Sequence, residues 1–290
     1  MPYSTKITEQ RPSIIVLMID QSGSMNETYH SKSHSPLEHR TKAQMVAETS
    51  NIMLMDILAR CRQGSTYKHY FDIAVIGYSG RGIYPLLPTG QWRLSPNSLA
   101  RSVKETHRLL RKLKRANGKT VHHYSSLKVW IEPDADGDTP MGAALQKVSE
   151  ILFSWRNEQK HNDFFPPTII NITDGEATDI IPSDIERIKS SFQSLGSSDG
   201  EPIIFNLHIT NTESQKVCFP TKGDNLPPEA RILFELSSAL PEIYNDAIGS
   251  RSTQSETEGL PYRAFSYNLP LTELIGAIQI GTTTTQQIHL

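Results

Sequence analysis

Ser13–Asp20 reads SIIVLMID, an apolar run of strand length that ends in a carboxylate. A short continuous run of this kind marks a strand buried on both faces, as in parallel sheets covered by helices. The pattern returns at Phe71–Tyr78 (FDIAVIGY), Thr168–Thr173 (TIINIT) and Ile203–Ile209 (IIFNLHI). Between the first two lies Lys42–Arg60, where Met45, Val46, Ile52, Met53, Met55, Ile57 and Leu58 follow helical spacing. Strand, helix, strand implies a crossover and a parallel pair. Further helices are predicted over Pro140–Phe153 and over Ser183–Leu195, where Ser183 as N-cap and Glu186 have capping-box spacing. The alternation predicts an α/β fold with a Rossmann-like, doubly wound, mostly parallel central sheet flanked by helices.

A chain of 290 residues can bury one large core, and the formal net charge of -2 singles out no polyanionic or polycationic partner. The expected organisation is a polar lead-in over 1–12, a single α/β domain with loop insertions over 13–280, and a flexible tail over 281–290. Asn26–Arg40 is polar and reads as a long loop. Ser79–Ser98 reads as loop with one short edge strand. In the last third, Glu229–Leu240 and Leu271–Ile280 suit helices, and the segment after Ile209 either completes the sheet or adds a docking element. Cys61 and Cys218 make no disulfide framework; they read as buried thiols in a reducing compartment. No apolar run reaches the roughly 18–20 residues that span a bilayer, and MPYSTKITEQRPS lacks an apolar signal core. A cytoplasmic protein is expected, which leaves open secretion without a signal peptide.

Three short motifs carry chemistry. Asp20-Gln21-Ser22-Gly23-Ser24 follows the first strand, at the sheet edge where open α/β folds build ligand sites. One carboxylate and two hydroxyls supply part of the oxygen shell that a hard cation such as Mg²⁺ requires, although an Asx-turn with a helix cap uses the same residues. Thr139, in Gly137-Asp138-Thr139-Pro140-Met141, precedes a helix and could serve as its N-cap. Asp174 ends another apolar strand, where a carboxylate needs a compensating partner, and a bound cation is one such partner. Asp179, just beyond, reads as a loop or capping residue.

Together the three motifs resemble the von Willebrand factor A (VWA) family and its metal-ion-dependent adhesion site. The family's D-x-S-x-S, Thr and Asp positions are met by Asp20, Ser22, Ser24, Thr139 and Asp174. The resemblance covers roughly Ser13 to Ile209. YFDIAVIGYSGRG, DTPMGAAL and ITDGEATD are most similar to the intracellular bacterial members, some encoded beside stress-response and conflict systems. It implies one divalent cation, Mg²⁺ first, with Mn²⁺ or Ca²⁺ as alternatives. It also implies direct ligation by the two Ser hydroxyls, ligation by the Asp residues directly or through water, and a Thr139 that enters or leaves the shell. One position would stay open for an Asp or Glu of a partner protein. The expected role is a non-enzymatic adaptor in a multi-protein assembly.

Two other functions fit parts of the sequence. A Mg²⁺-dependent phosphoryl-transfer enzyme similar to the haloacid dehalogenase group needs D-x-D; here the acid/base position is Ser22, and no phosphate-binding Gly-rich loop followed by Lys-Ser/Thr is present. The basic run 101–119, RSVKETHRLLRKLKRANGK, could hold nucleic acid. Its Val103, Leu109, Leu110 and Leu113 also suit a solvated amphipathic helix, the plainer expectation. His30, His34 and His39 lie in a Ser-rich loop without cysteine, which argues against zinc.

Overall fold

The computed structural model describes residues 2–28, 39–114, 120–175, 177–210, 216–224, 226–249, 252, 260–270 and 273–281. In chain order the elements are β1 (Ser13–Asp20), α1 (Lys42–Cys61), β2 (Arg62–Gln63), β3 (Thr66–Tyr67), β4 (Phe71–Ser79), β5 (Gly82–Pro85), α2 (Pro96–Arg101), β6 (Glu105–Lys114), β7 (Thr120–Val129), α3 (Met141–Glu158), β8 (Thr168–Thr173), α4 (Ile185–Gln193), β9 (Ile203–Thr210), β10 (Val217–Cys218), α5 (Pro228–Leu236), α6 (Asn245–Ile248), β11 (Phe265–Pro270) and α7 (Leu274–Gly281). Among the described residues seven strands form the central sheet, in the order β10-β11-β9-β8-β1-β4-β5. The interior pairs are parallel, while β5 and β10 run antiparallel at the two edges. This is the α/β architecture expected from the sequence.

The continuous apolar runs arise because both sheet faces are covered. Along β1, Ile15, Leu17 and Ile19 pack with Val46, Leu54 and Ile57 of α1 and with Leu274 of α7. Ile14, Val16 and Met18 face Leu145, Val148 and Leu152 of α3, Phe192 of α4 and Leu233 of α5. Each such fully buried side chain contributes about 1.5–3 kcal/mol of transfer free energy. The chain leaves β1 for β4 on one side and returns through α3 to β8 on the other. Strand order therefore reverses at β1, which opens a crevice at the carboxyl edge between β1 and β8.

Several local expectations are corrected. The run 101–119 is not one helix: α2 ends at Arg101, and β6 pairs antiparallel with β7 from Glu105↔Val129 to Lys114↔Thr120. His122 and His123 lie in β7. Ser183 does not cap a helix; it sits in a short 3-10 turn, Pro182–Asp184, and α4 begins at Ile185. The Asp184 carboxylate reaches back to accept from Ile181 N–H at 3.2 Å. The segment after Ile209 adds β11 beside β9 and β10 at the edge, so it completes the sheet. Both cysteines are buried, and burial pushes the Cys61 thiol up to about 12. The lead-in is strapped down, with Ile7 in the core and the amides of Ser4 and Thr5 donating to Asp199. Residues 282–290 of the expected tail, like His30 and His34, fall outside the described residues.

One buried side chain fixes the return from the β6–β7 ribbon. Asn51 of α1 accepts from the amides of Trp130 and Ile131 at 2.9 and 3.0 Å and donates to the Ile131 carbonyl at 2.8 Å. From that anchor residues 132–138 run to the carboxyl edge of the sheet.

Candidate metal centre

β1 delivers Asp20 to the sheet edge and β8 delivers Thr173 and Asp174 beside it, because Ile19 pairs with Ile172 in parallel register. Asp20 is fully buried. One carboxylate oxygen accepts from the Ser22 amide at 2.8 Å and the other from the Thr173 hydroxyl at 2.6 Å. Burial outweighs these bonds and raises the Asp20 pKa from 3.8 to about 6. The local turn is thus the Asx-type bond that the bland reading of the motif foresaw, and it also aims the two Ser hydroxyls.

Ser22 and Ser24 hydroxyl oxygens stand 3.1 Å apart, and Ser24 donates to Asp174 Oδ1 at 2.7 Å. Ser22 is buried, whereas Ser24 is exposed, so the cluster opens to solvent on its Ser24 side. Asp174, whose side chain is fully buried, accepts through Oδ2 from Lys42 Nζ at 2.6 Å. Lys42 is itself buried and donates to Glu27 at 2.7 Å. Sequence reasoning missed Lys42, Glu27 and Thr173. Lys42 looks like an ordinary first residue of a helix, and its partner Asp174 lies 132 positions away.

Thr139 reaches the cluster through backbone fastening. Gln21 carbonyl accepts from Asp136 N–H at 2.7 Å, and Gly137 carbonyl accepts from Gly23 N–H at 2.9 Å. Gly137 has φ 65°, and a Cβ there would lie 2.7 Å from Gly80 Cα, so only glycine fits this crossing. Thr139 is buried, and a Cβ added to Gly175 would meet its hydroxyl at 3.7 Å, which places it beside the Asp174 loop. The capping alternative for Thr139 is not what is found: the N-cap of α3 is Pro140, without a side-chain bond. Asp179 serves instead, accepting from the amides of Gly142 and Ala143 at 2.7 and 2.9 Å. The capping role foreseen for Asp179 is therefore the one it has.

Beneath the cluster runs a buried polar ladder. Tyr78 of β4 donates to Asn171 of β8 at 2.7 Å, Asn171 to Asn206 of β9 at 2.9 Å, and Asn206 to Ser237 at 3.0 Å. These bonds tie β8, which leads into Asp174, to β4 on one side and β9 on the other.

The five expected residues thus converge on one edge. Among the described residues no group of three or more His, Cys, Asp or Glu side chains gathers as a metal site. The cluster is instead two carboxylates and three hydroxyls. This all-oxygen donor set suits a hard divalent cation that keeps some water, and a soft metal would find no sulfur or imidazole. Two buried carboxylates served by one ammonium also leave excess negative charge, which a cation would offset.

No family model and no curated protein matches the sequence. Similar solved structures include a von Willebrand factor type A protein from Catenulispora acidiphila, at 20% identity over 69% of this chain and 34% of that one, TM-score 0.41. The PilB minor pilin from Streptococcus sanguinis is 17% identical over 57% of this chain and 30% of its own, TM-score 0.32. The vWF domain of the type V pili tip protein Mfa5 from Porphyromonas gingivalis is 10% identical over 97% of both chains, TM-score 0.45. The chain spans about a third of the first two proteins. Its fold class stands on the sheet described above, and its functional reading on the residues of the site.

Proposed function

We propose that the chain is a non-enzymatic interaction module of VWA type. It would hold one divalent cation, Mg²⁺ first, through Asp20, Ser22, Ser24, Thr139 and Asp174, and present it to an Asp or Glu of a partner protein. The observation that carries this reading is the cluster of Asp20, Ser22, Ser24 and Asp174 at the strand-order reversal beside β1, with Thr139 brought beside the Asp174 loop. Bound there, the ion would supply a Lewis-acidic position for an anionic ligand. The residues of the chain do the rest: Thr173 and the Ser22 amide orient Asp20, and Ser24 orients Asp174. The exposed side at Ser24 gives a partner access. An adaptor role in a bacterial stress-response or defence assembly is the biological setting that the sequence resemblance suggests.

The test is calorimetric titration with Mg²⁺ and Mn²⁺ of the wild type and of Asp20→Ala and Asp174→Ala. One site per chain is expected, lost or badly weakened in both variants, together with a rise in Tm on binding. Failure of the wild type to bind either ion at millimolar concentration, together with a chelator-insensitive partner complex, would sink the metal bridge.

A second reading follows from the β6–β7 ribbon. Arg108, Arg111, Lys112, Lys114 and Lys128 lie on two antiparallel strands, and a two-stranded ribbon is an element that a nucleic-acid major groove admits. Binding to duplex DNA that weakens steeply with salt would favour it. No helix among the described residues is long and apolar enough to cross a membrane.

A further inference from the structure

Lys42 is the feature of the site that no motif foresaw. Its ammonium is buried, bonded to Asp174 on one side and to Glu27 on the other. A lysine is seldom buried unless it is paired, and here the pairing is with the carboxylate expected to serve a cation. We propose that Lys42 is a resident cation of the metal centre. It neutralises Asp174, remains paired with it when a divalent ion is bound, and so sets the charge that the loaded site shows to a partner. This rests on the metal-binding reading above.

Two carboxylates alone would cancel a divalent ion and leave nothing to attract an anion. With the ammonium added, Asp20, Asp174 and Lys42 sum to a single negative charge, and a divalent ion turns that into a single positive one. Glu27 is well exposed, so water and salt screen its contribution. The division of Asp174 is consistent with this: Oδ2 is taken by Lys42, while Oδ1 faces Ser24 and the hydroxyl cluster. Asp174 therefore keeps one oxygen for the ion side and one for the ammonium. The cost to the site is weaker ion binding, because two cations share a confined region. The gain is an ion that is not electrically satisfied, and an incoming carboxylate completes it.

Helix α1 is built to hold the ammonium there. Thr41 caps α1, with the Thr41 hydroxyl accepting from Gln44 N–H and the Gln44 side chain accepting from Thr41 N–H. The Lys42 amide donates to the Glu27 carbonyl at 3.0 Å, so Lys42 is fixed by its backbone as well as by its side chain.

The test uses the full chain with Mn²⁺ as the metal probe and succinate as the carboxylate probe. Mn²⁺ affinity is read by calorimetry, and succinate binding by loss of the water-proton relaxation enhancement of bound Mn²⁺. Lys42→Met is expected to bind Mn²⁺ about tenfold tighter than the wild type, because a nearby like charge is gone. Succinate should displace its water less readily. Lys42→Arg keeps the charge and should track the wild type. Glu27→Gln removes an exposed, largely screened charge, and is expected to change Mn²⁺ affinity by no more than about twofold. A purely structural role for Lys42 moves both Lys42 variants the same way, toward weaker binding. Folded Lys42→Met protein with unchanged or weaker Mn²⁺ affinity overturns the inference. If Lys42→Met does not fold, Lys42→Gln is measured in its place, and unchanged or weaker Mn²⁺ affinity of that folded variant overturns it. A wild type that binds no Mn²⁺ removes the metal reading itself, a result distinct from bound ion with unaltered affinity.

Discussion

Replacing Asp20 by Asn should stabilise the ion-free protein and abolish ion binding at the same time. Asp20 is fully buried, and burial is the main reason its pKa rises from 3.8 to about 6. Each tenfold change in ionisation constant corresponds to ~1.4 kcal/mol, so at neutral pH the charged form is disfavoured on folding by about 3 kcal/mol. The sign follows from the order of protonation. As pH falls, the folded state takes up the Asp20 proton near 6, before the unfolded chain does near 3.8. Relative stability is therefore gained between those values on acidification, and lost as pH rises through about 6. Asparagine removes the charge and fits the same bonds. Its oxygen can accept from the Ser22 amide, and its amide can donate to the Thr173 hydroxyl. That hydroxyl already lies 3.1 Å from the Gly175 carbonyl and can turn its proton there. Hydrogen bonds to a neutral amide are weaker than those to a carboxylate, so a net gain of about 1–3 kcal/mol is expected, a few degrees in Tm. The assay is scanning calorimetry in chelator at neutral and mildly acidic pH, with a Mn²⁺ titration alongside. Asp20→Asn should melt above the wild type at neutral pH, keep about half of that advantage near pH 5, lose the rest toward about pH 4, and bind no Mn²⁺. A variant that melts lower in chelator at neutral pH refutes the reasoning, because it would mean that the surroundings stabilise the Asp20 charge.

Three further outcomes are expected. Gly137→Ala combines a left-handed backbone with a Cβ 2.7 Å from Gly80 Cα, and should cost about 1–3 kcal/mol in denaturant unfolding. It should also weaken Mn²⁺ binding by displacing the loop that carries Thr139. Asn51→Ala leaves two amides and one carbonyl buried without their partner and should cost about 2–4 kcal/mol, read as a fall in the urea midpoint at constant slope. The bond from His69 to Asp72, 3.1 Å long, raises the His69 pKa above 6.5. That contribution is complete below the unfolded value and lost as pH rises through the folded one. His69→Gln should therefore flatten the fall of Tm as pH rises above the ordinary histidine value, and an unchanged slope counts against the pair.

The strands were legible because burial on both faces writes a continuous apolar run into a short local segment. The same locality explains Asp20 and Asp174: a carboxylate that ends such a run has few neutral explanations. The ribbon was misread for the converse reason. Leu109, Leu110 and Leu113 satisfy a helical stripe, whereas the partner that makes this run a strand lies in the next segment and leaves no mark within the run itself. Thr139 shows how a residue can be singled out while its role stays open. Its position before Pro140 invites a cap, and only the approach of Asp179 to the α3 amides relieves it of that task.

Lys42 marks the limit of reading by motif. The two carboxylates lie at the ends of strands, and the hydroxyls sit within a few residues of one of them, so short spacings reveal them. The ammonium comes from the start of the crossover helix, whose distance from Asp174 is set by how α1 packs on the sheet and by no pattern along the chain. A charge that governs a site from another element leaves no trace in spacing. Yet the need for one was present in the sequence: two acidic strand ends brought to one crevice require a counter-charge. The useful search is then for basic residues at the first turn of each crossover helix, which the parallel topology brings to the same edge as the strand ends.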